Sequence, residues 1–259
     1  MNPVNDIIRY PNYFIMKRIH FIYAALLMTA AHLQAQINLH ADASFKTSSD
    51  LRIKSVQAHY DTNLEQVVME ITTAGKAGNS VPSVHGQLDG APVLGYVFPT
   101  NLASTDVGFG AVEGIVALAL TSHPDFDDTP LWDENADRDY ANDGIVWHPH
   151  WVVLQSDDRV PGGLSVKQFN PEDKSVILPP TNPGMPMYMD SPGFPVITKG
   201  SSIKVVVPAY RIAKHDFQFD GVTAYMQVNT SVKDKPLLGV YAVYSVASGD
   251  LSLPFSVKK

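Results

Sequence analysis

The stretch 50-DLRIKSVQAHYDTNLEQVVMEITTAG-75 decides the fold class. Leu51, Ile53, Val56, Ala58 and Tyr60 recur at near-alternate positions, as do Val67, Met69 and Ile71. A period of two puts one set of side chains on a single face of an extended chain. Asp61-Thr62-Asn63 between the runs is turn chemistry, so the segment is predicted to be a β-hairpin.

Working outward, 75–80 (GKAGNS) is a loop, and 93–98 (VLGYVF) and 114–120 (GIVALAL) are further strands. The latter is apolar throughout, the pattern of a strand covered on both faces. Residues 145–154 (IVWHPHWVVL) form a strand in which Pro149 demands an edge position or a bulge. Residues 171–195, rich in Pro and Gly, make a long ordered loop. Strands follow at 202–210 (SIKVVVPAY), 222–228 (VTAYMQV) and 237–246 (LLGVYAVYSV), and 251–257 (LSLPFSV) closes a sheet. Short strands separated by turn signals, without repeats or compositional breaks, predict one all-β domain: an antiparallel β-sandwich of jelly-roll type with long loops and little helix. The D-L-x-I-x-S-V start (50–56) and I-T-T-A-G finish (71–75) of the hairpin resemble the first strands of extracellular sandwiches of the DOMON and family-9 carbohydrate-binding (CBM) type. The resemblance covers about a tenth of the chain and implies architecture, with no ligand and no site residue.

Composition agrees. Charged residues are 17% of the 259, below the quarter usual in globular domains, with 17 Gly and 19 Pro. Cysteine is absent, which excludes thiolate metal sites, Cys nucleophiles and redox pairs; any metal must be held by oxygen, imidazole or thioether. Met16-Lys17-Arg18 followed by the apolar 19–31 (IHFIYAALLMTAA) and Leu33-Gln34-Ala35 has the layout of a signal peptide cleaved before Gln36. Thirteen residues are too short to span a bilayer as a helix. The expected organisation is therefore an N-terminal extension plus signal peptide over 1–35, with translation starting at Met16, and a single domain over 36–259, in the periplasm or secreted. The latter part carries 16 basic and 25 acidic residues, a net charge of −9. Such a chain is a poor partner for nucleic acid or anionic lipid, and cations are its natural partners.

Two clusters carry candidate chemistry. Eight carboxylates fall between residues 125 and 143: Asp125, Asp127, Asp128, Asp133, Glu134, Asp137, Asp139 and Asp143. Within 133–139 (DENADRD), oxygen donors alternate in the D-x-N-x-D manner that wraps a Ca²⁺ ion. Asp133, Asn135, Asp137, Asp139 and Asp143 are the calcium ligands so predicted. An EF-hand is excluded, because Arg138 stands where that loop needs glycine and Gly144 where it needs a bidentate Glu. The alternative is a solvated acidic loop with Arg138 paired internally.

The second cluster is His148-Pro149-His150. On a strand these two imidazoles share a face, and His123 or Asp125 would add a ligand from the preceding loop, a donor set suited to Zn²⁺ or Cu²⁺ or to iron. The alternative is a pair of hydrogen-bonded histidines flanked by Trp147 and Trp151. The pattern also resembles the first cupin motif, H-x-H followed by Glu and Gly, with Gln155 in place of the Glu and Gly162 as the glycine; a second motif with its histidine is missing. Met185, Met187 and Met189 alternate as in methionine-rich Cu(I) sites, although Met more often fills a core. No G-x-S-x-G, P-loop or H-E-x-x-H sequence is present.

These readings predict an exported, non-catalytic binding protein with a calcium-stapled 125–143 loop, its partner a glycan or a protein, with Trp132, Tyr140, Trp147 and Trp151 as a stacking platform or as core. The competing expectation is a transition-metal enzyme or carrier built on His148 and His150 with His123 or Asp125.

Overall fold

In the computed structural model the described residues are Phe45, 48–83, 86–124, Asp133, 135–139 and 142–258. The expected signal peptide lies outside them, as do Asp125, Trp132 and Tyr140. No described helix is long and apolar enough to cross a membrane.

Among the described residues, thirteen strands follow in order: β1 (Ile53–Asp61), β2 (Gln66–Thr73), β3 (Pro92–Pro99), β4 (Ile115–Ser122), β5 (His148–Ser156), β6 (Leu164–Val166), β7 (Met189–Asp190), β8 (Val196–Lys199), β9 (Ser202–Pro208), β10 (Gln218–Phe219), β11 (Val222–Val228), β12 (Leu238–Val246) and β13 (Phe255–Ser256). Helical structure among the described residues is confined to four short 3-10 turns. The expected hairpin is β1–β2, paired Tyr60 to Val67 and Ala58 to Met69, and its turn is fixed by the Asp61 carboxylate accepting the N–H groups of Asn63 and Leu64. Leu51 is not in the strand; it ends a 3-10 turn, Ser49–Leu51. The expected closing strand shrinks to β13, which pairs only with β10.

All strand pairings between these elements are antiparallel, but the sheets do not form the jelly-roll sandwich that the pattern predicts. One sheet runs β1-β2-β9-β8. The other runs β4-β3-β11-β12-β6-β5, and β5 pairs again with β4, from Ile115–Leu154 to Thr121–His148. That last pairing closes a six-stranded barrel. Closure removes the open edges a sandwich would leave.

Two cores result, and they explain why β3 and β4 are apolar on both faces. Val93, Val97, Ala117 and Ala119 point into the barrel with Val152, Val222, Ala224 and Val240. Leu94, Tyr96, Phe98, Leu118 and Leu120 point outward and pack against Val67, Met69, Ile71, Val205 and Val207 of the four-stranded sheet. Among the described residues, the barrel core has no Phe, Tyr or Trp and is filled by Ala, Val, Leu and Met, while the seam between sheets takes those aromatic side chains as well as aliphatic ones. Pro149 sits where β5 bonds only to β4, because β7 joins at Trp151 and β6 at Leu154. The strand is thus locally an edge where its proline falls.

Candidate metal centre

The register of the barrel assembles the histidines. His148 lies opposite Thr121 and His150 opposite Ala119 on β4, and His123 follows β4 by one residue. A 3-10 turn at Asp143–Ile145 brings the chain back beside it: the His123 N–H donates to the Gly144 carbonyl at 3.0 Å, and the Ser122 hydroxyl donates to the Ile145 carbonyl at 2.8 Å. The three imidazoles meet at this end of the barrel, 1–2% exposed, with one ring nitrogen from each within 4.8 Å of the others.

Their hydrogen bonds define the chemistry. His123 Nδ1 is 2.7 Å from the Pro124 carbonyl oxygen, and His148 Nδ1 is 2.6 Å from that of Val146. A carbonyl only accepts, so each Nδ1 carries a proton, and a neutral ring then presents its lone pair at Nε2. Those Nε2 atoms face each other at 2.9 Å. The Thr121 hydroxyl lies 3.3 Å from His148 Nε2, and the Ser191 hydroxyl lies 2.9 Å from His150 Nδ1.

Two lone pairs at that distance would be bridged by a proton or by a metal ion. A proton would serve, at the cost of burying an imidazolium. A metal ion would serve as well, its charge compensated by the lone pairs that coordinate it. Nitrogens ~2.05 Å from one ion lie about 2.9 Å apart at a right angle and about 3.3 Å apart at the tetrahedral angle. Metal-bound histidines also characteristically donate their other N–H to a carbonyl, which fixes tautomer and ring orientation. Three imidazoles are a donor set for Zn²⁺, Cu²⁺, Ni²⁺ or Fe²⁺, not for Ca²⁺.

Asp125 lies outside the described residues, and the described part of the acidic loop is held by its own hydrogen bonds. Asp133, Asn135 and Asp137 form one hydrogen-bonded loop: Asp133 accepts the N–H groups of Asp137 and Arg138, and Asn135 accepts that of Asp137. The side-chain amides of Asn135 and Asn142 both donate to Asp137 Oδ2. Asn142 first, then the Asp139 N–H and Asn135, hold the Asp137 carboxyl below its ordinary range. Asp143 is buried and accepts the Asn135 N–H at 3.4 Å. Arg138, standing where glycine was expected, adopts the left-handed conformation at φ 72°.

Gln155 is on the other face of β5 from His150, Val152 and Leu154, which line the barrel, so the position matched to the cupin Glu stays out of the cluster. Met187 and Met189 are buried in the barrel core. Trp147 and Trp151 belong to the inter-sheet core. Ser191 and Thr121 were not legible as parts of the centre; Ser191 is 41 residues from His150, and no local pattern links them. No protein-family model matches the chain, and no curated protein or solved structure is significantly similar to it.

Proposed function

We propose that this is an extracytoplasmic transition-metal-binding protein whose centre is His123, His148 and His150, taking Zn²⁺ or Cu²⁺. The observation that carries the reading is the pair of Nε2 atoms at 2.9 Å with both Nδ1 atoms committed to carbonyls. Three protein ligands leave a coordination position for water or a further donor. Burial within a closed barrel holds the rings in place before the ion arrives, which lowers the ordering cost of binding.

The test is metal analysis of the chain from Gln36 onward after loading with Zn²⁺ or Cu²⁺ and desalting. One equivalent per chain is expected, falling below a tenth in His148→Ala. Sub-stoichiometric metal in the wild type, or full retention in the variant, overturns the proposal.

A second reading concerns the acidic loop, as a calcium staple through Asp133, Asn135, Asp137, Asp139 and Asp143. It is favoured by the Asp133 carboxylate gathering two successive N–H groups around a left-handed Arg138, the sharp turn such loops require. It predicts Ca²⁺-dependent protection of 133–143 from proteolysis, abolished by Asp133→Ala. Protection without Ca²⁺, or none with it, counts against it.

A further inference from the structure

The barrel interior is not completely filled. A cavity of about 50 Å³ lies among Val97, Ala119, Val152, Ala224, Met226 and Val240, with Thr121 and His150 also in its wall. Near the other end of β5, a second hollow of about 220 Å³ shares Pro99, Leu154, Leu164 and Leu251 with it and also touches Leu253. The four shared residues place the two hollows side by side, one toward His150 and the other toward Leu251 and Leu253. Both leucines are in the left-handed region, φ 59° and 54°. Bulky residues there cost about 1–3 kcal/mol each and concentrate at clamps and switches.

We propose that this interior binds a small apolar molecule of two or three heavy atoms, the size class of dioxygen, admitted past Leu251 and Leu253 and brought against His150 of the metal centre. That last step rests on the metal-binding reading above; the cavity itself does not. Apart from Thr121 and His150 at one end, the wall is made of aliphatic side chains and the thioethers Met189 and Met226. Water in the alkyl part would forgo its hydrogen bonds, so the space stays dry, as engineered apolar cavities do. Such cavities of ~150 Å³ admit benzene; a third of that volume excludes a ring and leaves room for a small gas. Ala119 and Ala224 create the space, since any larger side chain at either position fills it.

Xenon is the probe, used on the chain from Gln36 onward, loaded with Co²⁺ or left unloaded. Under xenon pressure the methyl resonances of Ala119, Val152 and Ala224 and the ring resonances of His150 should shift saturably. Ala224→Leu, or the milder Ala119→Val if the first fails to fold, should weaken the response at least tenfold while leaving one metal per chain. Leu251→Gly, which adopts φ 59° freely, should accelerate xenon exchange. Bound metal without a xenon response overturns the cavity inference alone. A xenon response in a chain that takes up no metal supports the cavity and overturns only the metal reading. An unchanged exchange rate in Leu251→Gly overturns the proposed route.

Discussion

Removing the His148 imidazole separates the packing role of the cluster from the metal role proposed for it. In His148→Ala the Val146 carbonyl loses a 2.6 Å donor, and a buried ring is replaced by a methyl. A stranded acceptor costs about 1–3 kcal/mol, and incomplete collapse around a truncated core residue adds a term of similar size. Deletion also relieves the confrontation of Nε2 atoms at 2.9 Å, so the metal-free variant should fall about 2–3 kcal/mol below the metal-free wild type. The loaded proteins differ by more. At a hundredfold excess over Kd, one ion bound only by the folded chain adds ~2.7 kcal/mol. For a domain of this size that corresponds to about 5–11 °C in Tm. Thermal melts in EDTA and in excess Zn²⁺ should therefore show that increment in the wild type and essentially none in His148→Ala. The increment, not the absolute Tm, is the readout. An equal increment in both proteins, or none in the wild type, refutes the reasoning.

Three further outcomes follow from other contacts. Ser191→Ala removes the hydroxyl 2.9 Å from His150 Nδ1, and competition titration should show metal affinity down 10–100-fold, the usual effect of losing a partner of a ligand; unchanged affinity would mean that Ser191 does not orient the ring. The Arg159 guanidinium, bonded to Asp157 at 2.6 and 2.8 Å, pushes that carboxyl down to about 2. Because the folded value is depressed, the pair stabilises above the ordinary carboxylate range and is lost as pH falls from about 4 towards 2. With Arg159 41% exposed, solvent screening reduces its worth to about 1 kcal/mol, seen as a gap between wild type and Arg159→Ala in urea melts at pH 7 that closes near pH 2. Gly114→Ala should cost about 2 kcal/mol or more in the same assay, because at φ 151° its Cβ would stand 2.5 Å from Val153 Cγ1 and 2.6 Å from the Leu154 carbonyl oxygen.

Much of the secondary structure is legible in the sequence because strand period is a local property. The Leu51–Ile71 alternation, the unbroken GIVALAL run and Pro149 each announce their surroundings. Barrel closure is not local. It depends on β5 returning to β4 and on β12 meeting β6 through the single pairing of Gly239 with Ser165, and a strand buried on both faces reads the same in a sandwich as in a barrel. The candidate centre divides in the same way. His148 and His150 share a face by strand geometry alone, whereas His123 enters by the turn at Asp143–Ile145 and Ser191 by the β5–β7 pairing. The acidic loop dominates the sequence by its charge density, yet the histidines converge in the barrel wall, on β5 and just past the end of β4, where closure fixes their separation.

Anomalous diffraction from crystals grown with Zn²⁺, recorded at the zinc edge, shows whether the three histidines hold an ion. One peak is expected ~2.0–2.1 Å from a ring nitrogen of each of His123, His148 and His150, with the Pro124 and Val146 carbonyls still accepting from Nδ1. Three rings bonded only to one another and to protein oxygens, with zinc absent or held by the 133–143 carboxylates, would contradict it.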